Sequence, residues 1–222
     1  MGGMPLPRPR ERADLPYAPH LEPHEGRLRP SGDYDAVAFD DAGFDDAQAG
    51  DARFLECVFS EAAFSGGRYT RARFSDVWMH TVRWVGADLG ETRWLDTEVI
   101  GSVLAGIQLF SSELNRVVFH DCKFDSVNFR GAALQEVSFV NCRLGEVDFA
   151  GATLNQVTFE GSALEGVRFD KARLSKVDLR GATQLGIKDG YDSLRGATIS
   201  DAQLTIIAPM LAQVLGIEVK DR

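Results

Sequence analysis

The chain is poor in the residues that mark catalytic and metal sites, since its 222 residues include only three cysteines and four histidines. It contains no Gly-rich phosphate loop, no H-E-x-x-H, no C-x-x-C and no G-x-S-x-G sequence. Its longest apolar stretch, TIIAPMLAQVLGI, is too short and interrupted to span a bilayer, and no basic segment precedes an apolar one at the N-terminus. We therefore expect a cytoplasmic protein that is not an enzyme, with no metal, cofactor, small-molecule substrate or membrane.

Positive charge is also scarce. The sequence has 24 Lys and Arg against 33 Asp and Glu, a net charge of −9 and a pI of about 5.0. Nucleic acids and anionic membranes attract basic surfaces, so direct nucleic-acid binding is not expected either. At 44% hydrophobic and 26% charged residues, the composition is that of a folded protein.

Proline is nearly absent outside residues 1–32, which hold seven of the eight prolines and show no apolar periodicity. This segment is predicted to be a flexible tail rich in Pro and Arg. His20 and His24 fall within it, but the proline between them excludes a regular helical pair.

What the sequence does have is a period of five. From Phe39 to Leu179, all 29 residues at five-residue steps are apolar, and they include 13 of the 14 phenylalanines. The residues two places earlier are small or β-branched. Neither a helix nor a strand repeats every five residues, but two inward residues separated by one outward residue make a short strand that then turns a corner. Each group of five is interpreted as one side of a coil.

Longer repeats indicate four sides per coil. ARFLE at 52–56, ARFSD at 72–76 and TRWLD at 92–96 recur at intervals of twenty residues. The sequence therefore predicts an all-β protein, a four-sided β-solenoid over residues 33–199. Its 30 pentads make 7.5 coils, about 36 Å long at about 4.8 Å per coil. Cys57, Cys122 and Cys142 occupy inward positions, where packing is the favoured interpretation over a metal site.

The outward charges are uneven along the rod. Arg53, Arg73 and Arg93 form one column beside another of Glu56, Asp76 and Asp96, which is interpreted as a ladder of ion pairs. Around the first two coils nine acids face one base, which favours either solvation or a basic partner. The predicted partner-binding acids are Asp40, Asp41, Asp45, Asp46, Asp51, Glu56, Glu61, Asp76 and Asp96.

Two aromatic residues, Trp78 and Phe110, fall outside the inward register. They are predicted either to anchor a partner or to be covered by the tail, and the sequence favours neither alternative.

A helix is predicted to close the C-terminal end over residues 200–222. Ser200 and Gln203 suit a capping box, Gly216 suits a helix stop, and Pro209 should kink or split the helix. Its apolar residues cover the last coil and, since they exceed what one coil needs, predict a dimer interface. The predicted interface residues are Leu204, Ile207, Met210, Leu211, Val214 and Leu215.

The central Phe or Leu, the small residue two before it and the GA corners of RGAAL, AGATL and RGATQ resemble the pentapeptide-repeat proteins. The segments ETRWLDTEVIGS and ATISDAQLTIIAPMLAQVLGIEV are similar to parts of the Qnr quinolone-resistance group, and the arrangement is also similar to the albicidin self-immunity type. The unbroken register leaves no room for projecting loops and is closer to the loop-free fluoroquinolone-resistance proteins.

The resemblance implies a right-handed quadrilateral coil, a homodimer joined through the C-terminal helix, and binding to a type II topoisomerase, DNA gyrase or topoisomerase IV. Such a protein acts as an acidic DNA mimic or as a factor protecting the enzyme from quinolones or a natural poison. The alternatives are a general protein-interaction scaffold and a self-immunity factor for a locally made toxin.

Overall fold

The chain folds into a four-sided β-solenoid closed by one helix, as seen in a computed structural model that describes residues 8–220. The strands, numbered β1 to β22 in chain order, are Glu22–Pro23, Asp33–Asp35, Val37–Asp40, Gly43–Asp45, Arg53–Leu55, Val58–Ser60, Ala63–Ser65, Arg73–Ser75, Trp78–His80, Arg83–Val85, Arg93–Ile100, Val103–Ala105, Glu113–His120, Lys123–Asp125, Ala133–Val140, Arg143–Gly145, Thr153–Asn155, Ala163–Arg168, Arg173–Ser175, Val177–Asp178, Gln184–Asp189 and Ala197–Thr198. Short 3-10 helices cover Arg12–Asp14, Ala18–His20 and Tyr191–Ser193, and helix α1 covers Asp201–Val214.

Successive coils pair in parallel, and each residue lies beside the residue twenty places later. Tyr34 pairs with Phe54, Phe54 with Phe74, and the series continues to Leu174 through eight stacked coils. The predicted four-sided coil is confirmed. We number the sides by their inward residues in the first coils: Phe39 and Phe59 on side 1, Phe44 and Phe64 on side 2, Ala49 and Tyr69 on side 3, Phe54 and Phe74 on side 4.

The repeat slips once, near the C-terminal end. On side 2, Ala163 pairs with Gln184, a separation of 21 residues, and the ladder is irregular between Glu165 and Arg168. The extra residue falls just after Leu179, where the five-residue pattern of the sequence weakens.

The core is a set of side-chain columns that run the length of the rod. Phe39 stacks on Phe59 with ring centroids 4.5 Å apart, and Phe119, Phe139 and Phe159 form a similar column at 5.2 and 5.1 Å. These rings are almost fully buried. Central residues of successive coils stack either like on like, as Phe119 on Phe139, or as two different large apolar residues, as Phe124 on Leu144, and this stacking fills the interior.

The corners explain why the repeat is five residues long. From Phe39 to Leu174, the residue two after each central residue takes a positive φ, for example 49° at Asp41 and 47° at Asp46. The N–H of each of these residues donates to a carbonyl oxygen of the next coil, at 2.8 Å for both. The left-handed conformation favours Gly, Asn and Asp, so aspartate is a favoured residue at the solenoid corners.

The described part of the predicted N-terminal tail is folded. Glu22 and Pro23 pair with Val37 and Ala38 as an additional strand of side 1, and Leu28 joins the core. Residues 8–21, which we call the strap, lie on the outer surface of side 1 with Leu15 and Tyr17 buried. The prediction of a free tail was wrong for these residues because apolar side chains on both the strap and side 1 are covered by the contact.

At the other end α1 closes the last coil. The predicted capping box is confirmed: Gln203 N–H donates to Ser200 Oγ at 3.2 Å, and Ser200 N–H donates to Gln203 Oε1 at 2.9 Å. Pro209 lies inside α1, which runs to Val214 without the predicted split. Ile207 is buried against the core, and the Gln203 amide donates to the carbonyl oxygen of Leu179 at 2.7 Å.

Candidate interaction surfaces

A group of acidic side chains without ion pairs surrounds the N-terminal coils. We call it the acidic collar: Asp35, Asp41, Asp45, Asp46, Glu56 and Glu61. Five of its members are exposed and Glu56 is half-buried. Within residues 8–220, no member lies within ion-pair distance of a cationic group, whereas neighbouring acids do. Four of them, Asp41, Asp46, Glu56 and Glu61, occupy positive-φ corners, so the fold projects their carboxylates outward from the solenoid edges.

Three of the acids predicted to bind a partner are already paired within the chain. Asp40 accepts from Arg12 at 2.7 Å, Asp51 from Arg71 at 2.8 Å, and Asp96 from Arg116 at 2.6 Å. The hydrogen bond from Arg71 lowers the pKa of Asp51. These acids are therefore less available to a basic partner than the members of the collar.

Asp76, the remaining predicted acid, has its pKa raised by desolvation and by the nearby charge of Asp96. It is exposed, but it lies at the border of the strap. The structure thus separates the nine predicted acids into five members of the unpaired collar, three that are paired within the chain, and Asp76 beside the strap.

The arginine column forms its ion pairs along the rod. Arg53, Arg73 and Arg93 are stacked in register on side 4, as the repeats predict. Arg53 pairs with Asp33 at 2.6 Å and Arg93 with Glu113 at 3.2 Å, each one coil away in the same column. The predicted pairing with the neighbouring acidic column is not seen for these two arginines.

Trp78 is covered by the strap and is not an exposed anchor. Only 5% of its surface is accessible, and its indole N–H donates to the carbonyl oxygen of Arg10 at 3.1 Å. It forms one apolar cluster with Leu15, Tyr17 and Val58. Of the two alternatives for Trp78, coverage by the N-terminal segment is therefore the one observed.

Beside Trp78, the strap also covers a charge. Glu98 is 6% exposed and accepts from both the backbone N–H and the side-chain Nε of Arg10, at 3.0 and 2.7 Å. The Nε2 of buried His120 lies 3.5 Å from Glu98. Burial lowers the pKa of His120, although the charge of Glu98 acts in the opposite direction. This arrangement was not predicted, because residues 10 and 98 are distant in the sequence.

Phe110 follows the inward residue of side 3 and is partly covered by the preceding coil. Its ring lies so close over Gly90 that a Cβ there would clash with it. Glycine at position 90 therefore provides the space for the ring, and Phe110 contributes a half-buried surface instead of a projecting anchor.

The predicted cysteine packing agrees with the burial of all three thiols. Burial raises the pKa of the Cys57 thiol to about 12, and it also raises that of Cys122. Within residues 8–220 there is no group of three or more His, Cys, Asp or Glu placed to hold a metal ion. None of the helices described is long and apolar enough to cross a membrane.

The outer face of α1 is the most apolar exposed surface. Seven large hydrophobic residues at this end are exposed: Leu204, Ile206, Met210, Val214, Leu215, Ile217 and Val219. Four of the predicted interface residues, Leu204, Met210, Val214 and Leu215, belong to this set. Ile207 and Leu211 instead pack against the solenoid, so the prediction that Ile207 lies at an intermolecular interface was wrong. Ile206, Ile217 and Val219 were missed.

A shallow apolar groove of about 590 Å³ lies on this end of the molecule, lined in part by Ala208, Pro209 and Ile217. The chain leaves α1 through Gly216 in the left-handed conformation, with the Ile217 N–H donating to the carbonyl oxygen of Ala212 at 2.8 Å, and Val219 then lines the groove beside the helix. The groove extends the apolar surface beyond the helix itself.

These features define a β-solenoid protein with an acidic collar at one end and an apolar helix at the other. Residues 112–188 match the family model of the pentapeptide repeat region, so this part of the chain consists of pentapeptide repeats. Comparison with curated protein sequences gave no match.

Three solved structures illustrate what this chain is similar to. A trypsin-treated variant of QnrB1, a plasmid-mediated fluoroquinolone resistance protein, is 18% identical, with 90% of this chain and 96% of that chain covered and a TM-score of 0.42. A pentapeptide repeat protein of the Arabidopsis thaliana thylakoid lumen is 22% identical over 47% and 73%, with a TM-score of 0.42. HetL of Nostoc, involved in heterocyst differentiation regulation, is 17% identical over 79% and 93%, with a TM-score of 0.32.

Proposed function

We propose that this protein is a non-enzymatic homodimer that binds a type II topoisomerase, DNA gyrase or topoisomerase IV, and protects it from a quinolone or a natural gyrase poison. The acidic collar carries the proposal. The resemblance of the mid-chain and C-terminal segments to the Qnr group supports the choice of partner.

The charge density of the collar supports mimicry of DNA at one end of the rod. Its six carboxylates lie between Asp35 and Glu61, within two coils, which is about 10 Å of rod at about 4.8 Å per coil. Duplex DNA carries one charge per about 1.7 Å, or about six charges over that length. An enzyme surface that binds DNA phosphates would therefore meet a similar density of negative charge here.

The rest of the rod is a poorer mimic because its charges are balanced. On side 4 and at its corner with side 1, charges neutralise one another through pairs such as Arg93–Glu113 and Arg116–Asp96. In this proposal only the collar end of each protomer contacts the basic surface of the enzyme. The apolar face of α1, at the opposite end, is left for contact with a second copy.

A supercoiling assay with purified gyrase, drug and this protein tests the proposal. We expect the protein to inhibit supercoiling or to restore it in the presence of drug, depending on concentration. No effect on supercoiling and no protection over a broad titration would contradict the topoisomerase role.

The site is tested by a pair of matched variants. Asp45→Asn, Asp46→Asn and Glu61→Gln together should weaken the effect at least tenfold, since they remove half of the collar. Asp121→Asn, Glu160→Gln and Asp192→Asn remove the same number of exposed carboxylates elsewhere and should change it little. Equal losses in both triple variants would show that net charge matters and the collar does not.

The alternative of a general interaction scaffold depended on an exposed Trp78. Because the strap covers that side chain, this alternative lacks its predicted anchor while the strap is in place. A pull-down that recovers another protein and no topoisomerase would still favour it.

A further inference from the structure

The strap lies on side 1 without joining its ladder of backbone hydrogen bonds. Among the residues described, backbone bonds within 11–20 connect the strap only to itself, as from Leu15 N–H to the carbonyl oxygen of Arg12. Ladder bonds to side 1 begin at Glu22, whose N–H donates to the carbonyl oxygen of Ala36 at 2.9 Å. The strap can therefore leave side 1 while every coil stays paired.

The surface beneath the strap is unusual for the outside of a β-solenoid. Val58, Trp78 and Ile100 belong to successive strands of side 1 and point outward, yet their exposed fractions are 0%, 5% and 9%. Outward positions elsewhere on the rod are largely polar, and apolar ones on a flat sheet face call for a covering group. Without the strap these three side chains would form a continuous apolar patch.

Acidic side chains border the patch. Glu98 lies in register with Trp78 on the next strand of side 1. Asp40 lies on the same side, two strands before the strand of Trp78. Arg10 and Arg12 of the strap pair with these two acids at 2.7 Å each. The surface thus recognises a segment that carries arginine together with aliphatic or aromatic residues, since it offers carboxylates for the former and apolar area for the latter.

The fit of the strap is incomplete. The Tyr17 hydroxyl is buried without a hydrogen-bond partner among the residues described, and burial together with Asp76 raises the pKa of that phenol. Burying an unpaired hydroxyl opposes binding. A segment with Phe or Leu at that position, or with a polar group that its surroundings satisfy, would bind the same surface better than the strap does.

We propose that side 1 from Val58 to Ile100 is a binding surface for an arginine-containing apolar segment of another protein, and that the strap occupies this surface as a displaceable internal substitute. This binding surface is separate from the acidic collar. The proposal does not depend on the topoisomerase role, because none of its tests contains that enzyme.

Trp78 reports directly whether the strap is in place. The other two tryptophans, Trp84 and Trp94, are 1% and 3% exposed inside the solenoid and stay shielded. Acrylamide quenching of the wild-type protein should be weak. In the full-length double variant Leu15→Ala and Tyr17→Ala, one of the three tryptophans should become quenchable, and Trp78→Phe in that background should abolish the added component.

His20→Ala is the matched control, since His20 belongs to the strap but is exposed. It should leave quenching as in the wild type. Arg10→Ala, which removes no apolar contact, should raise quenching to a smaller degree and covers the case in which the double variant folds poorly. If neither strap variant exposes Trp78, the strap is a fixed part of the fold and the proposal is wrong.

Binding is tested with a labelled peptide that copies residues 8–21, RPRERADLPYAPHL. We expect it to bind the double variant at least tenfold more tightly than the wild type, whose surface is occupied. Alanine at the peptide positions of Arg10 and Leu15 should remove most of this binding, as should Glu98→Gln in the protein. Equal binding to wild type and double variant would overturn the proposal.

Light scattering separates a foreign segment from a second copy. A double variant with the same mass as the wild type, at the same concentration, supports a surface left open for another protein. A higher mass would instead assign the surface to straps exchanged between copies and would contradict the proposed partner.

Discussion

The two ends of the solenoid are closed in different ways. At the N-terminal end, Leu28 enters the core and the ring of His24 packs on Phe39 with centroids 4.6 Å apart, so the first coil is covered by its own chain. At the C-terminal end, Ile207 of α1 covers the last coil, but the outer face of the helix is apolar. Nine large hydrophobic residues are exposed in the described chain, and seven of them lie at or after Leu204.

The difference supports the proposed homodimer, in which the C-terminal end is completed by a second copy and the N-terminal end is not. A charged collar is compatible with water and with a basic partner, whereas an exposed apolar helix face marks a protein–protein contact. A rod with these ends would pair through α1 and leave a collar at each distal tip. The following predictions test that contrast, from the largest expected effect to the smallest.

Ile207→Asp should have the largest effect on stability. The substitution puts a carboxylate into the contact between α1 and the last coil, and we expect it to lower the free energy of unfolding by at least about 3 kcal/mol. Urea unfolding followed by circular dichroism measures this. Ala202→Asp, at an exposed position of the same helix outside the proposed dimer interface, is the control and should shift the midpoint little. Equal shifts for both would mean that α1 does not cap the core.

Leu215→Glu and Met210→Glu should convert a dimer into monomers. Both side chains are exposed in the single chain, at 72% and 42%, so charge there leaves the fold intact but disfavours an apolar contact. We expect the dimer dissociation constant to rise at least tenfold, about 1.4 kcal/mol, in light scattering over a range of concentrations. The collar variants Asp45→Asn and Asp46→Asn should keep the wild-type mass. A wild-type protein that is monomeric at every concentration would refute the proposal that α1 forms a dimer interface.

Gln203→Glu tests how α1 is fastened. The Gln203 amide donates to the carbonyl oxygen of Leu179, while its oxygen accepts from Ser200 in the capping box. Glutamate keeps the acceptor and loses the donor, so it sets a carboxylate against the carbonyl oxygens of Leu179 and Ala182, and should cost about 1–3 kcal/mol. Ser200→Ala removes only the cap and should cost about 1 kcal/mol. A smaller loss for Gln203→Glu than for Ser200→Ala would show that the cap is the dominant contact.

The coil was predictable because its cause is local. Each pentad repeats the same two inward residues and the same corner, so the register from Phe39 to Leu179 defines the sides, the stacking and the inward cysteines. The capping box was predictable for the same reason, since Ser200 and Gln203 are three residues apart.

The strap was not predictable, because its contacts join distant parts of the chain. Leu15 and Tyr17 carry no periodic signal among the prolines, and Arg10 contacts Glu98 at a separation of 88 residues. The packing face of α1 was only partly predicted. Its contact with the last coil includes Gln203, whose amide satisfies carbonyl groups there, and a search for apolar periodicity passes over such a residue.

Mild acid should weaken the N-terminal half of the rod, with a smaller effect than any substitution above. Burial lowers the pKa of His24 and of His120 in the folded state, and no histidine follows residue 120. Each contributes stability that is present above its unfolded pKa of about 6.5 and is lost as the pH falls through the folded value. Tryptophan fluorescence, which reports only on residues 78 to 94, should therefore show a lower urea midpoint at pH 5.5 than at pH 7.5. His24→Gln should reduce this difference and exposed His20→Gln should preserve it, whereas equal pH dependence in the two variants would rule out the burial of His24 as a cause.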